Sequence, residues 1–176
     1  MIYVVDLDDT LVCSTMLNND SYNYALEWFG YNRLTTNERI TRERLDFVDD
    51  VLIKDIILLK QYYFIQEWLP YRVIINKLLL NKLSIYKKEN CYLWTKADKN
   101  RAFKILSYCN LNNYFKDIIY DDKSNFESSI LKLRKVTNFN RFIIYENNRD
   151  FFKNQKCKVV DVIKNKFFNV KGYLIG

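Results

Sequence analysis

Asp6-Leu7-Asp8-Asp9-Thr10-Leu11, directly after the apolar run Ile2-Tyr3-Val4-Val5, is the stretch whose reading decides the fold. Four apolar residues rich in β-branched side chains read as a buried strand. Two carboxylates two positions apart follow at its end. A strand alternates its side chains, so Asp6 and Asp8 share a side only if the extended path continues; a bend there lets both reach one site. One carboxylate could then attack a phosphorus atom while the other handles the proton of the leaving group. Such a density of negative charge also invites a hard divalent cation. The plainer reading is an acidic turn that caps a helix through Asp and Thr.

Working outward, glycine and proline are nearly absent, at 3 and 1, so boundaries come from periodicity rather than punctuation. Residues 14–42 are polar and mixed, with a short helical candidate at Ser21–Phe29. Leu45, Val48, Leu52, Ile56, Leu59 and Tyr63 recur at steps of three and four and place one stripe on a long helix over 43–69, which Pro70 breaks or restarts. A second helix follows over Tyr71–Leu83. From there strands and helices alternate: strand Cys91–Thr95, helix Lys99–Cys109, strand Asp117–Tyr120, helix Phe126–Val136, strand Arg141–Tyr145, helix Arg149–Asn154 and strand Lys158–Val162. That alternation predicts an α/β fold with a parallel sheet and helices on both faces, its site at the carboxyl ends of the strands.

Four more residues fall where such a site would lie. Thr95 ends its strand and can donate a hydrogen bond to a phosphoryl oxygen or cap the next helix. Lys123 follows the strand Asp117–Tyr120 and the pair Asp121-Asp122; an ammonium there would offset the mutual repulsion of carboxylates and phosphate. Lys132, on the next helix, is its rival, and a solvated loop lysine is the plain alternative. Glu146 and Asp150 follow the strand Arg141–Tyr145 and, with Asp6, would complete an oxygen-rich magnesium shell; singly, each would serve as a helix N-terminal acid.

The order strand–Asp-x-Asp-x-Thr, strand–Thr, loop lysine, strand–acidic pair resembles the four motifs of the haloacid dehalogenase-like (HAD) phosphotransferases. The resemblance covers nearly the whole chain outside residues 14–69. It implies a Rossmann-like core formed by residues 1–13 and 70–176, with 14–69 as a small helical cap insertion. It also implies Asp6 as nucleophile, Asp8 as general acid/base, Thr95 as phosphate ligand and Lys123 as the charge-stabilising lysine. Mg2+ would be held by Asp6, Asp8 through its backbone carbonyl, Glu146 and Asp150. Tyr145-Glu146 departs from the Asp-Asp or Gly-Asp that opens the fourth motif in many members, so Glu146 would meet magnesium directly or through water.

Composition bounds the function classes. The chain has 176 residues, 49% of them hydrophobic, which is enough for one domain with a small insertion. It contains no histidine, and its four cysteines form no C-x-x-C pair, so zinc ligation and imidazole chemistry are not expected. The N-terminal run reads as a strand and not as a leader, no stretch is apolar enough to span a membrane, and a reducing cytoplasm is the expected compartment. A net charge of +7 draws a protein to polyanions, but the positive charges are dispersed along the chain. The expected activity is phosphomonoester hydrolysis on a small phosphorylated metabolite or nucleotide. Processing of DNA or RNA termini, phosphoprotein dephosphorylation and a non-catalytic binding module are the alternatives. Tyr22, Tyr24, Trp28, Phe29 and Tyr31 would either stack on a nucleobase or pack within the insertion.

Overall fold

The computed structural model describes the backbone of all 176 residues and every side chain except those of Trp68, Pro70 and Tyr71. The chain divides into two compact units, Met1–Cys13 with Ile75–Gly176, and Ser14–Ile74.

The first unit is built on strands β1 (Ile2–Val5), β4 (Cys91–Thr95), β5 (Asp117–Tyr120), β6 (Phe142–Glu146), β7 (Lys158–Lys164) and β8 (Asn169–Ile175), in the order β5-β4-β1-β6-β8-β7. The first four are mutually parallel, with Tyr3 opposite both Cys91 and Ile143. Parallel neighbours bury both faces of a strand, which is why β4 is buried at all five positions, Cys-Tyr-Leu-Trp-Thr. Three helices connect the strands: α4 (Lys77–Leu83), α5 (Lys99–Tyr108) and α6 (Phe126–Thr137). Each begins at a side-chain cap, Asn76 for α4, Asp98 for α5 and Asn125 for α6, whose oxygen accepts a backbone N–H of the first turn. Asn138, in the left-handed region at φ 60°, ends α6.

One face of the sheet carries Ile2, Val4, Tyr92, Trp94, Ile119, Phe142 and Ile144 against Ile130 and Leu133 of α6. The period of two within β1, β4 and β6 puts these side chains on one side. Tyr3, one residue out of phase, stacks on Tyr86 beyond α4, with ring centroids 3.6 Å apart.

The sheet is mostly rather than wholly parallel. β8 runs antiparallel to β6, and β7 antiparallel to β8. The sequence shows β7 but not β8, because Asn169-Val170-Lys171-Gly172 lacks a clear apolar alternation. Gly172 there is a packing requirement: a Cβ would lie 3.1 Å from both the Asp161 side chain and the Tyr145 ring.

The second unit holds α1 (Thr15–Trp28), α2 (Asp50–Tyr62), a π-helical stretch Tyr63–Trp68 and α3 (Leu69–Arg72). α1 begins earlier than the Ser21–Phe29 expected, because its first turns bury asparagines. Asn18 donates to the Ile40 carbonyl, Asn19 bonds both Ile40 N–H and Glu38 carbonyl, and Asn23 bonds both backbone groups of Leu34. These bonds bind the irregular segment 34–40 to the helix, and polarity that reads as solvated is internal. The stripe from Leu45 is also cut: Leu45 and Val48 are buried from turns, and α2 starts only at Asp50. The strand pair β2 (Val12–Cys13) and β3 (Ile74–Ile75) forms a separate two-stranded sheet, so the helix expected over Tyr71–Leu83 is split before Asn76 caps α4. Four of the five aromatics pack within this unit. Tyr22 is buried, Phe29 and Tyr31 lie against the same cluster, and Tyr24 packs on Tyr63, whose hydroxyl donates to it at 2.7 Å. Trp28 is 67% exposed.

Candidate active site

β1 ends at Val5, but its pairing continues one step, with Asp6 N–H donating to the Tyr145 carbonyl at 3.0 Å. The chain then curls. Leu11 and Val12 N–H both donate to the Leu7 carbonyl, Asp9 N–H donates to the Val12 carbonyl at 2.7 Å, and Asp9 lies at φ 59° in the left-handed region. This closed loop breaks the strand alternation after Asp6. It is fastened from two sides. Thr10, fully buried, donates to Asn147 Oδ1 and accepts from Asn147 N–H, each at 3.1 Å. Asn76 donates through its side chain to the Thr10 carbonyl and through its backbone to the Leu11 carbonyl.

At the carboxyl ends of β1, β5 and β6 three charges meet. Lys123 Nζ donates to Asp6 Oδ1 at 2.6 Å and to Glu146 Oε2 at 2.7 Å, and it sits 4.3 Å from the centroid of the Trp94 ring. All three charged residues are buried, between 2% and 6% exposed. Lys123 is set in place by its backbone, which adopts φ 51° and donates its N–H to Asp121 Oδ1, while Asp121 Oδ2 accepts from Trp94 Nε1. Glu146 Oε1 accepts the N–H groups of Asn147 and Asn148. Asp6 Oδ2 has no hydrogen-bond partner among the described residues. Two carboxylates share one ammonium.

Burial, and then the neighbouring Glu146 charge, outweigh Lys123 and push the Asp6 pKa up to about 7. Burial works against the Lys123 charge, yet Asp6 and Glu146 beside it raise its pKa above the ordinary value.

Asp8 is ion-paired to Arg101 of α5, whose side chain is 8% exposed. The Asp8 charge acts on Asp6 as well, as the weakest of the influences on that carboxyl. Thr95 is 1% exposed; its Oγ1 accepts the Ala97 N–H at 3.0 Å, and α5 is capped by Asp98 instead. The Thr95 hydroxyl proton has no acceptor among the described residues, and a cavity of about 450 Å³ opens beside it, lined also by Tyr120, Asp121, Asp122 and Lys132. Lys132 is exposed and donates to the Tyr120 carbonyl. Asp150 is exposed in a short 3-10 turn, and its carboxylate accepts no hydrogen bond among the described residues.

No family profile and no curated protein sequence matches the chain. Solved structures do. A haloacid dehalogenase-like family hydrolase from Streptococcus pneumoniae is 16% identical, with a TM-score of 0.63 over 81% of this chain and 73% of that one. A predicted phosphoglycolate phosphatase from Haemophilus somnus is 15% identical, with a TM-score of 0.66 over 79% and 72%. CbbY from Rhodobacter sphaeroides, solved in complex with phosphate, is 16% identical, with a TM-score of 0.65 over 82% and 77%. The chain has the haloacid dehalogenase-like fold.

Within this HAD-like core the structure joins Asp6, Lys123 and Glu146 in one cluster, pairs Asp8 with Arg101, and leaves Asp150 at the surface. Among the described residues, no three His, Cys, Asp or Glu side chains form a metal-binding group. The donor set nonetheless suits a hard cation in part. Asp6 offers a carboxylate oxygen without a hydrogen-bond partner among the described residues, beside a second carboxylate. Two contributors were not visible in the sequence. Arg101 reads as one more charge on an amphipathic helix, and only the Asp98 cap that fixes the phase of α5 turns it toward Asp8. Asn147 follows Glu146 and reads as loop, yet it is the partner of Thr10.

Proposed function

We propose that the protein is a magnesium-dependent phosphomonoester hydrolase acting on a small phosphorylated metabolite or nucleotide through an aspartyl-phosphate. The observation that carries the reading is the buried Lys123 ammonium held between Asp6 and Glu146 at the carboxyl ends of the central strands. A cation is costly to bury without strong local anions, and here it leaves one Asp6 oxygen available for attack.

In the first step Asp6 Oδ2 forms a bond to phosphorus as the bond from phosphorus to the leaving oxygen breaks. Asp8, in its protonated form, gives its proton to that oxygen. In the second, Asp8 takes a proton from water, whose oxygen displaces Asp6 from phosphorus and releases inorganic phosphate. Lys123 offsets the charge gathered on the phosphoryl oxygens, and the Thr95 hydroxyl donates to one of them. Magnesium, when held by the partner-free oxygen of Asp6 and the Asp8 backbone carbonyl with waters completing the shell, would supply charge neutralisation between carboxylate and phosphate; Asp150, exposed, and Glu146, both of whose carboxylate oxygens are hydrogen-bonded, would have to rearrange to join it. The packing of Tyr22, Tyr24, Phe29 and Tyr31 inside the second unit favours a small substrate over a polynucleotide end.

The test is hydrolysis of p-nitrophenyl phosphate with and without Mg2+ by the full chain and by Asp6→Asn. Activity that needs the metal and disappears in Asp6→Asn is expected. A raised melting temperature on adding Mg2+, absent in Asp6→Asn, would report metal binding without turnover. Undiminished hydrolysis in Asp6→Asn refutes the assignment.

A further inference from the structure

We infer that Arg101 is a positioning residue for Asp8: it acts in proton transfer to the leaving oxygen by fixing where the Asp8 carboxylate points, and not by touching phosphate. The inference rests on the proposed phosphatase reading. Three observations carry it. Arg101 is 7% exposed, an unusual degree of burial for a guanidinium, and it forms an ion pair with Asp8. Its backbone is fixed as well, since Arg101 N–H donates to the Asp98 cap at 2.9 Å. The next residues of α5, Ala102, Ile105 and Leu106, are all buried, so the helix cannot roll to release the side chain. Asp8 meanwhile stands on the curled loop after Asp6, outside β1, where an isolated bridge to Val12 holds its backbone.

The geometry separates two roles. Lys123 balances charge at Asp6, the attacking side, while Arg101 pairs with the acid on the leaving-group side. Losing Arg101 should therefore matter in proportion to how much the leaving oxygen needs a proton. p-Nitrophenolate departs without one; phenolate, a stronger base, is helped by one.

The experiment compares p-nitrophenyl phosphate and phenyl phosphate, with Mg2+, for the wild-type chain, Arg101→Met, Arg101→Lys, Asp8→Asn and the double variant Asp8→Asn/Arg101→Met. Arg101→Met is expected to lower kcat for phenyl phosphate about 100-fold and for p-nitrophenyl phosphate less than about tenfold, within the range that general acid catalysis supplies. KM should stay nearly constant, Arg101→Lys should recover part of the loss, and Arg101→Met should cost nothing further once Asp8 is Asn. Equal losses on both substrates, a rise in KM with kcat intact, or a full additional loss in the Asp8→Asn background would overturn the inference; the second outcome would mark Arg101 as a phosphate ligand. Melting temperatures check that each variant is folded, and Arg101→Lys carries the same comparison if Arg101→Met is not. A wild-type chain inert toward both substrates removes the phosphatase reading and this inference with it, whereas an active wild type with a flat substrate response removes the inference alone.

Discussion

Replacing Lys123 by Met keeps an unbranched side chain one heavy atom shorter and removes its charge. The structure sets the size of the effect. The ammonium bonds Asp6 at 2.6 Å and Glu146 at 2.7 Å, lies 4.3 Å from the Trp94 ring centroid, and all of these groups are buried. Removing one partner of a buried ionic cluster costs about 3–5 kcal/mol, because the remaining charges stay desolvated. For a chain of this size each kcal/mol moves the melting temperature by about 2–4 °C, so a fall of roughly 6–20 °C is expected at pH 8. The assay is thermal unfolding in EDTA. Its pH dependence gives a second check. Asp6 titrates near 7 in the folded protein against 3.8 ordinarily, so the folded state holds more protons than the unfolded one between those values. Its contribution to stability therefore falls as pH rises through that window. Without Lys123, which lowers the Asp6 pKa, the window extends upward, and the penalty of the variant should shrink as pH drops from 8 to 5. Adding Asp6→Asn and Glu146→Gln should recover most of the stability at pH 8. An unchanged melting temperature, or a penalty indifferent to pH, would refute the reasoning.

Lys132→Ala removes an exposed lysine that bonds only a backbone carbonyl among the described contacts; its unfolding free energy should stay within about 0.5 kcal/mol of wild type, with hydrolysis retained, as urea titration and steady-state rates will show. Thr10→Val takes the hydroxyl donor away from the part-buried Asn147 Oδ1, while the Asn147 N–H keeps Glu146 Oε1, and should cost about 1 kcal/mol by urea unfolding. Thr95→Ala removes the donor proposed for the phosphoryl group and should weaken inhibition by inorganic phosphate, by about tenfold for one lost hydrogen bond of about 1.4 kcal/mol, while Thr95→Ser retains it.

The sequence carried the first unit well because parallel strands buried on both faces leave continuous apolar runs. Asp117–Tyr120 matches β5 residue for residue, and Cys91–Thr95 matches β4. It carried the second unit poorly, since Asn18, Asn19 and Asn23 serve as internal bonding groups and carry no apolar signature. β8 was missed for a related reason: a strand that begins Asn169-Val170-Lys171-Gly172 has no clear period to read. Of the site, the positions of Asp6 and Lys123 follow from strand ends. Arg101 and Asn147 reach it only through a helix phase and a loop bond, which are tertiary facts without a local sequence signal.

The interrupted build of the first unit has a consequence for synthesis on the ribosome. β1 occupies the centre of the sheet and emerges first, but its two neighbours are made only near residues 91 and 142. A nascent chain halted before Glu146 would carry Asp6 and Lys123 without the third member of their cluster, and β1 would still lack β6. Ser14–Ile74, one uninterrupted stretch that forms a compact unit, emerges whole during that wait and can begin to collapse. Vectorial production therefore orders assembly from the insertion inward, with the slow, long-range closure of the central strand as its final event.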